Sequence, residues 1–388
     1  MPFVPSPVQT LASDAASAAW RATRVGGCLV LFFVLAAWQP FASFDENADY
    51  TSTCLNSPMR GLVPTAFYCQ HPFHMAMLEE AYQHARASPS LAPLWVERAQ
   101  HLVAARPRIV VYANTVEDDI RAALSPETLY VFTRHGFSSK HWLAQCLRSC
   151  DAACVSSEWV AEDHGRRYCI PPLGYWVTGF PATDALWRNR LEMAPAPGYT
   201  TLLYAPTWSP TLSAHPVIGT AWAREWLRPP GRRLIVKLHP HVARGQPDWV
   251  APWNAIRDEF RDRVKFPDAD ENIYALMPMA DLLLSDASST AFYWLALDRP
   301  VVLVDPQPPE GDERFDPEGP EWTWRDMGPR VTRLEELLPA LRGAHADPEA
   351  YAAQRRVYRD RLYGDLFDGN ASARLAARLS RLAEELDP

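Results

Sequence analysis

The chain has 388 residues, 48% hydrophobic and 22% charged, a globular composition with room for two domains, each with a full core. A formal net charge of -8 argues against a broad nucleic-acid binder, because gripping a phosphate backbone needs a positive field. Seven cysteines, an odd number without framework spacing, fit a reducing compartment better than a disulfide scaffold.

Residues 1–58 read as an appendage. Its apolar run, 25–38 (VGGCLVLFFVLAAW), lies between Arg21 and Arg24 before it and Asp45, Glu46 and Asp49 after it. The run is shorter than the roughly 20 residues a membrane span needs. A cleaved signal peptide is disfavoured, since some polar sequence including Asp14 precedes it and no small-residue cleavage site follows. The preferred reading is a peripheral hydrophobic anchor or an element packed on the first domain; a true span would export everything after it.

Regular alternation begins at residue 59. Strands are expected at Leu62–Cys69, Arg108–Ala113, Leu129–Thr133, Cys150–Ser156 and Tyr175–Gly179, with helices at Pro72–Ala85 and Ser157–Tyr168. In the first helix Phe73, Met77, Leu78 and Tyr82 recur near the helical period. Cys146, Cys150 and Cys154, spaced by four, would share a helical stripe as structural thiols. A Pro- and Ala-rich stretch over 181–198 divides the chain. Beyond it come strands at Thr200–Tyr204, Arg232–Leu238, Val264–Phe266, Asp281–Ser285 and Val301–Val304, helices near Gly219–Leu227, Trp253–Arg263 and Ser288–Leu297, and an acidic, Pro-rich loop over 307–319. This is an α/β pattern of two Rossmann-like, doubly wound domains facing a cleft. The expected divisions are 1–58, a first domain 59–190, a second 198–370, and a closing helix 371–388.

Three strand endings carry polar chemistry: His135-Gly136, His239-Pro240, and Ser285 to Thr290. In open α/β sheets ligands sit beyond the carboxyl ends of strands, so all three endings can face one cleft. Lys237 and His239 leave the same face of their strand by its period of two. Ser288, Ser289 and Thr290 open a helix, either as caps or as a seat for phosphate. His135, with Gly136 admitting close backbone approach, could serve as a general base. No HExxH, P-loop or acidic pair at a strand end is present, so metal-free chemistry is the default. The late arginines Arg355, Arg356, Arg359, Arg361, Arg374, Arg378 and Arg381 read as a solvated helix face, with contact to an anionic membrane surface or acceptor polymer as the alternative.

Taken in order, His135-Gly136 with Lys140, Gly179-Phe180-Pro181 with Asp184, Tyr204-Ala205-Pro206-Thr207-Trp208, Lys237-Leu238-His239-Pro240, Asn272-Ile273, Ser285-Asp286-Ala287-Ser288-Ser289 and Asp368-Gly369-Asn370-Ala371-Ser372 form a set. The set resembles the CDP-glycerol glycerophosphotransferase family, enzymes that prime and polymerise teichoic acids and related capsule polymers. The resemblance implies a GT-B-like pair of domains, a CDP-alditol donor on the second, and a polyol-phosphate or lipid-linked acceptor on the first. It implies no metal and no cofactor, and work at the cytoplasmic side of the membrane. By the same likeness His135 deprotonates an acceptor hydroxyl, which attacks the phosphorus next to the alditol and expels CMP. His239 with Ser288 and Ser289 would hold the pyrophosphate, with Lys237 and Thr290 as further phosphate contacts. Asp286 would orient a histidine or a ribose hydroxyl. Since base and clamp fall in different domains, they are expected to meet when the domains close.

The sequence departs from the family where Phe137 and Ser138 replace the usual Thr-Pro, where Ala287 replaces a Tyr, and where Glu318 precedes Gly319. Two other readings remain: a GT-B nucleotide-sugar glycosyltransferase or epimerase, and a non-catalytic polymer-binding protein that has kept the fold.

Overall fold

The computed structural model describes residues 61–387 apart from 138–141, 308–311 and 313–314. The apolar run 25–38, Ser138 and Lys140 therefore lie outside the described residues. Two six-stranded sheets organise the rest, and every strand pairing in both is parallel. The first contains β1 (Val63–Tyr68), β2 (Leu91–Val96), β3 (Ile109–Tyr112), β4 (Leu129–Phe132), β5 (Ala152–Val155) and β6 (Tyr175–Val177), in the order β2-β1-β3-β4-β5-β6. The second contains β7 (Thr200–Tyr204), β8 (Arg232–Val236), β9 (Val264–Lys265), β10 (Leu282–Ser285), β11 (Val301–Val304) and β12 (Arg330–Val331), in the order β12-β11-β10-β7-β8-β9. This is the α/β, GT-B-like architecture.

The central strands are continuous apolar runs because helices cover both faces of each sheet. Every residue of β3 (IVVY) is buried: Val111 joins Phe67 and Val131 in one cluster, while Val110 joins Ala66 and Phe132 in the opposite one. Two strands were not anticipated. β2 carries Pro93, which cannot donate to a ladder and is tolerated because β2 is an edge strand. β12 is only two residues long. The three cysteines share no helical stripe, since Cys146 is helical and Cys154 lies in β5. All three are buried, and burial pushes their thiols up, to about 11 for Cys146 and about 12 for Cys150 and Cys154.

The helices that matter below are α1 (Pro72–Arg86), α2 (Trp142–Arg148), α3 (Glu158–Arg167), α4 (Ala182–Glu192), α5 (Pro240–Gly245), α6 (Thr290–Leu295), α7 (Ala352–Tyr363) and α8 (Ala371–Leu386). The last returns to the first sheet and packs along α1 and α4. Its start is held by Asp184, whose Oδ1 accepts from Ala371 N at 3.0 Å and whose Oδ2 accepts from Ser372 N at 2.7 Å. Gly179 completes this clasp: at φ +83°, a Cβ there would stand 2.9 Å from that of Ala371.

Of the late arginines, Arg356, Arg361, Arg378 and Arg381 are exposed, Arg359 and Arg374 half-buried and Arg355 buried, so most of the set is a solvated face with partners at its edges. Arg355 is buried beside Asp298 and Pro348 O, and Arg356 pairs with Asp298 and Glu349. Arg374 holds Asp368 and Thr178 O, while Arg361 and Arg378 lie over the rings of Trp159 and Trp176. Within the acidic loop, Asp316 pairs with Arg167 of α3 and Asp312 accepts from Thr211 Oγ1 at 2.6 Å.

Candidate active site

In each sheet the strand order reverses at one point, between β1 and β3 in the first and between β7 and β10 in the second. Such switch points open a crevice at the strands' carboxyl ends. The two crevices form one cavity of about 440 Å³. From the first sheet it receives His71, Phe73 and His74 after β1, Asn114 and Thr115 after β3, and His135 after β4. From the second it receives Ala205 to Trp208 after β7, Lys237 to His241 after β8, and Ser288 to Thr290 after β10. His135, His239, Lys237, Ser288, Ser289 and Thr290 all line this cavity.

The two histidines are held in opposite tautomers. His135 Nδ1 is 2.9 Å from Ala113 O, and a carbonyl can only accept, so the neutral ring carries its proton on Nδ1 and its lone pair on Nε2. His239 Nδ1 is 3.1 Å from the backbone N–H of His241, which can only donate, so the neutral ring carries its proton on Nε2. The His135 ring lies flat on Trp142, with centroids 4.9 Å apart and planes at 6°. Phe73 stands between the pair, 6.4 Å from His135 and 6.2 Å from His239 by ring centroids.

The His135–Gly136 segment and the turn that opens α6 are in contact. Tyr293 of α6 donates its hydroxyl to His135 O at 3.1 Å. A Cβ on Gly136 would come 2.7 Å from Ser289 Oγ, so glycine here admits the neighbouring turn. Phe137 fills the space behind, packed on Phe180, Tyr293 and Tyr363 with centroids 4.7–5.6 Å away. In this structure the segment carrying His135 and the turn carrying Ser289 therefore touch, and one apolar cluster runs through the junction.

Ser288 and Ser289 differ in use. Ser288 Oγ bonds Thr290 Oγ1 at 3.1 Å and accepts from Thr290 N at 3.3 Å, a local turn-closing pattern. Ser289, at the N-cap of α6, makes no capping bond with its side chain. Lys237 is only 7% exposed, with Nζ donating to Ala269 O and, at 3.4 Å, to Leu238 O. Burial lowers its ammonium to about 8 from the ordinary 10.5, an effect that Asp270 and Glu271 partly oppose.

Asp286 is 1% exposed and is not part of the cavity wall. Its carboxylate accepts from Thr207 N at 2.9 and 3.0 Å and from Ala214 N at 2.6 Å, which fixes the loop carrying Ala205 to Trp208. The pattern around the histidines missed His71, Phe73, His74, Trp142 and His241. The available signal was the rule already applied elsewhere, that residues just past a strand end face the crevice: His71-Pro72 follows β1 as His239-Pro240 follows β8.

Two parallel sheets whose switch points share one cavity, lined by a histidine from one side and by a second histidine and hydroxyls from the other, define a GT-B-like α/β class of protein. The family described as CDP-Glycerol:Poly(glycerophosphate) glycerophosphotransferase matches residues 74–381. The chain belongs to that family and is a CDP-glycerol glycerophosphotransferase-like enzyme. No curated protein sequence matches it. Among solved structures, the wall teichoic acid polymerase TagF is similar at 13% identity, covering 84% of this chain and 90% of that one, with a TM-score of 0.62. A TagF variant soaked with CDPG is similar at 13% identity, 84% and 90% coverage and a TM-score of 0.58. UDP-GlcNAc 2-epimerase from Neisseria meningitidis, bound to UDP-GlcNAc, is similar at 13% identity, 82% and 99% coverage and a TM-score of 0.53. At such identities the structural likenesses speak for the fold.

Proposed function

We propose that this enzyme transfers glycerol phosphate from CDP-glycerol to a hydroxyl of a polyol-phosphate or lipid-linked acceptor and releases CMP. The observation that carries the division of labour is the pair of opposite tautomers. Nε2 of His135 takes the proton of the acceptor hydroxyl as its oxygen bonds to the phosphorus bearing glycerol. The bond from that phosphorus to the CMP oxygen breaks, and CMP leaves with its electron pair. Nε2–H of His239 donates to the diphosphate, where charge grows during transfer, and His135 later returns its proton to solvent. Ser288, Ser289, Thr290 and Lys237 contact the diphosphate. Asp286 acts one step back, by holding the Thr207–Ala214 loop.

In this scheme residues 59–190 present the acceptor and residues 198–370 the donor. Glycerol is favoured over ribitol by the family's description and by the CDPG soaked into the TagF variant. The nucleotide donor places the reaction at the cytoplasmic face of the membrane; among the described residues no helix is long and apolar enough to cross one. The test is CMP release from CDP-glycerol, with CDP-ribitol and UDP-GlcNAc in parallel, a polyol-phosphate acceptor and EDTA throughout. Turnover with CDP-glycerol supports the proposal. Protection by UDP-GlcNAc alone would favour the epimerase-like reading, and donor binding without any CMP release would favour a polymer-binding protein.

A further inference from the structure

Trp142 takes no step in the transfer scheme, yet its indole lies flat against the proposed base. It opens α2, lines the same cavity as His135 and is half-buried there. The two rings are 4.9 Å apart by centroids, with planes at 6°. Phe132, the buried last residue of β4, meets the indole in a T-shaped contact at 6.1 Å and 85°. Trp142 is thus braced by the strand that carries His135 to the cavity. With Nδ1 of His135 2.9 Å from Ala113 O, the imidazole is held at one edge by a hydrogen bond and across one face by a stack. Those two contacts fix the direction of the ring.

The charge that develops on this ring gives the stack a second use. A histidine that takes a proton becomes an imidazolium, and a cation within about 6 Å of an indole centroid is attracted to its electron-rich face. Ala113 O offers Nδ1 a dipole rather than a full negative charge. From α1, His74 lies 5.4 Å away by centroids and stays neutral, held down to about 2 by burial first and then by His135 and His71. Arg134 places its guanidinium 3.1 Å from His164. Within α2, burial pushes the Cys146 thiol up to about 11, and Arg148 lies in the last turn. Tyr293 of α6 donates to His135 O, while Lys237, His239, His241, Asp270 and Glu271 line the cavity from the second sheet.

Resting on the transfer reaction proposed above, we propose that Trp142 is a positioning residue for His135: it holds the imidazole in place for the acceptor hydroxyl and stabilises the imidazolium formed as the proton moves. The proton passes from the acceptor oxygen to Nε2 of His135, and Trp142 forms no bond to the substrate. Its contribution falls on kcat and not on donor binding.

The experiment uses the full-length enzyme with Trp142→Phe, which keeps an aromatic face, and Trp142→Leu, which keeps apolar cover without one. In Trp142→Leu, kcat for CMP release should fall by roughly threefold to thirtyfold, and Trp142→Phe should recover a large part of the loss. The dissociation constant for CDP-glycerol should stay within about twofold in both variants. Because the stack favours the protonated ring and the base acts unprotonated, the acidic limb of the pH–rate profile should move to lower pH in Trp142→Leu, by about half a unit. An NMR titration of the His135 ring in the resting enzyme, assigned with His135→Gln, should move the same way. A fall in kcat without either displacement, or a Trp142→Phe no better than Trp142→Leu, overturns the inference and leaves Trp142 as packing. Absence of CMP release by the wild type would sink the transfer reaction, and this inference with it. With transfer intact, an unmoved His135 titration sinks this inference alone.

Discussion

The cavity and the clasp both rest on short polar motifs that follow a strand, and they use those residues in opposite ways. At the cavity, His135 and His239 each engage the backbone through Nδ1 while their rings line the wall. At the clasp, both oxygens of Asp184 accept backbone N–H groups at the start of α8, and Asp286 does the same for Thr207 and Ala214. A motif string thus mixes cavity-lining groups, the proposed reagents, with staples. Burial of both oxygens against backbone donors is what separates the staple from the site.

Removing the reacting groups should have the largest effect. His135→Ala and His239→Ala should each lower kcat/KM for transfer by roughly 10²–10⁴-fold, the usual scale for a lost acid or base, with little change in melting temperature. Calorimetric titration should find CDP-glycerol affinity kept in His135→Ala and weakened in His239→Ala. Equal weakening in both would erase the distinction between base and clamp.

The staples should behave the other way round. Asp286→Ala leaves Thr207 N and Ala214 N without their carboxylate and should cost about 1–3 kcal/mol, read as a lower denaturation midpoint. Because that loop carries Ala205 to Trp208 into the cavity, donor affinity should fall as well. Asp184→Ala should cost about 1–2 kcal/mol by uncapping α8, with activity per folded molecule unchanged. A full loss of activity in well-folded Asp184→Ala would show that the clasp is part of the site.

The same contrast explains what could be read from the chain. Strands buried on both faces announce themselves as apolar runs, so β3, β4, β7, β8, β10 and β11 fell close to their expected places, whereas Pro93 hid the edge strand β2. The strand-end rule found His135, Lys237, His239 and Ser288 to Thr290 in one cavity. It passed over His71, Phe73 and His74 because Phe73 also fits the apolar face of α1, and periodicity cannot tell a core aromatic from a wall aromatic. Asp286 shows a related limit of the rule: its neighbours in sequence face the cavity, while its carboxylate accepts from a loop 79 residues away in the chain.

Lys237 lies between the two groups, since its Nζ is tied to backbone carbonyls like a staple while its side chain lines the cavity like a reagent. Its ammonium titrates near 8 in the folded protein, against 10.5 ordinarily. Between those values the unfolded chain binds the extra proton, so stability from this group rises with pH across the window, and the full cost of burying the charge is borne below about pH 8. A diphosphate placed near Nζ would favour the charged form and raise its folded value. CDP-glycerol binding at pH 8.5–9 should therefore take up a fraction of a proton, detectable as a dependence of the binding enthalpy on buffer ionisation, and Lys237→Met should abolish it. At about pH 6.5, where Lys237 is already protonated, its share of the uptake should vanish even in the wild type. Uptake that persists in Lys237→Met, or is absent from the wild type at high pH, would assign Lys237 to the staples and leave the diphosphate to His239 and the hydroxyls of α6's first turn.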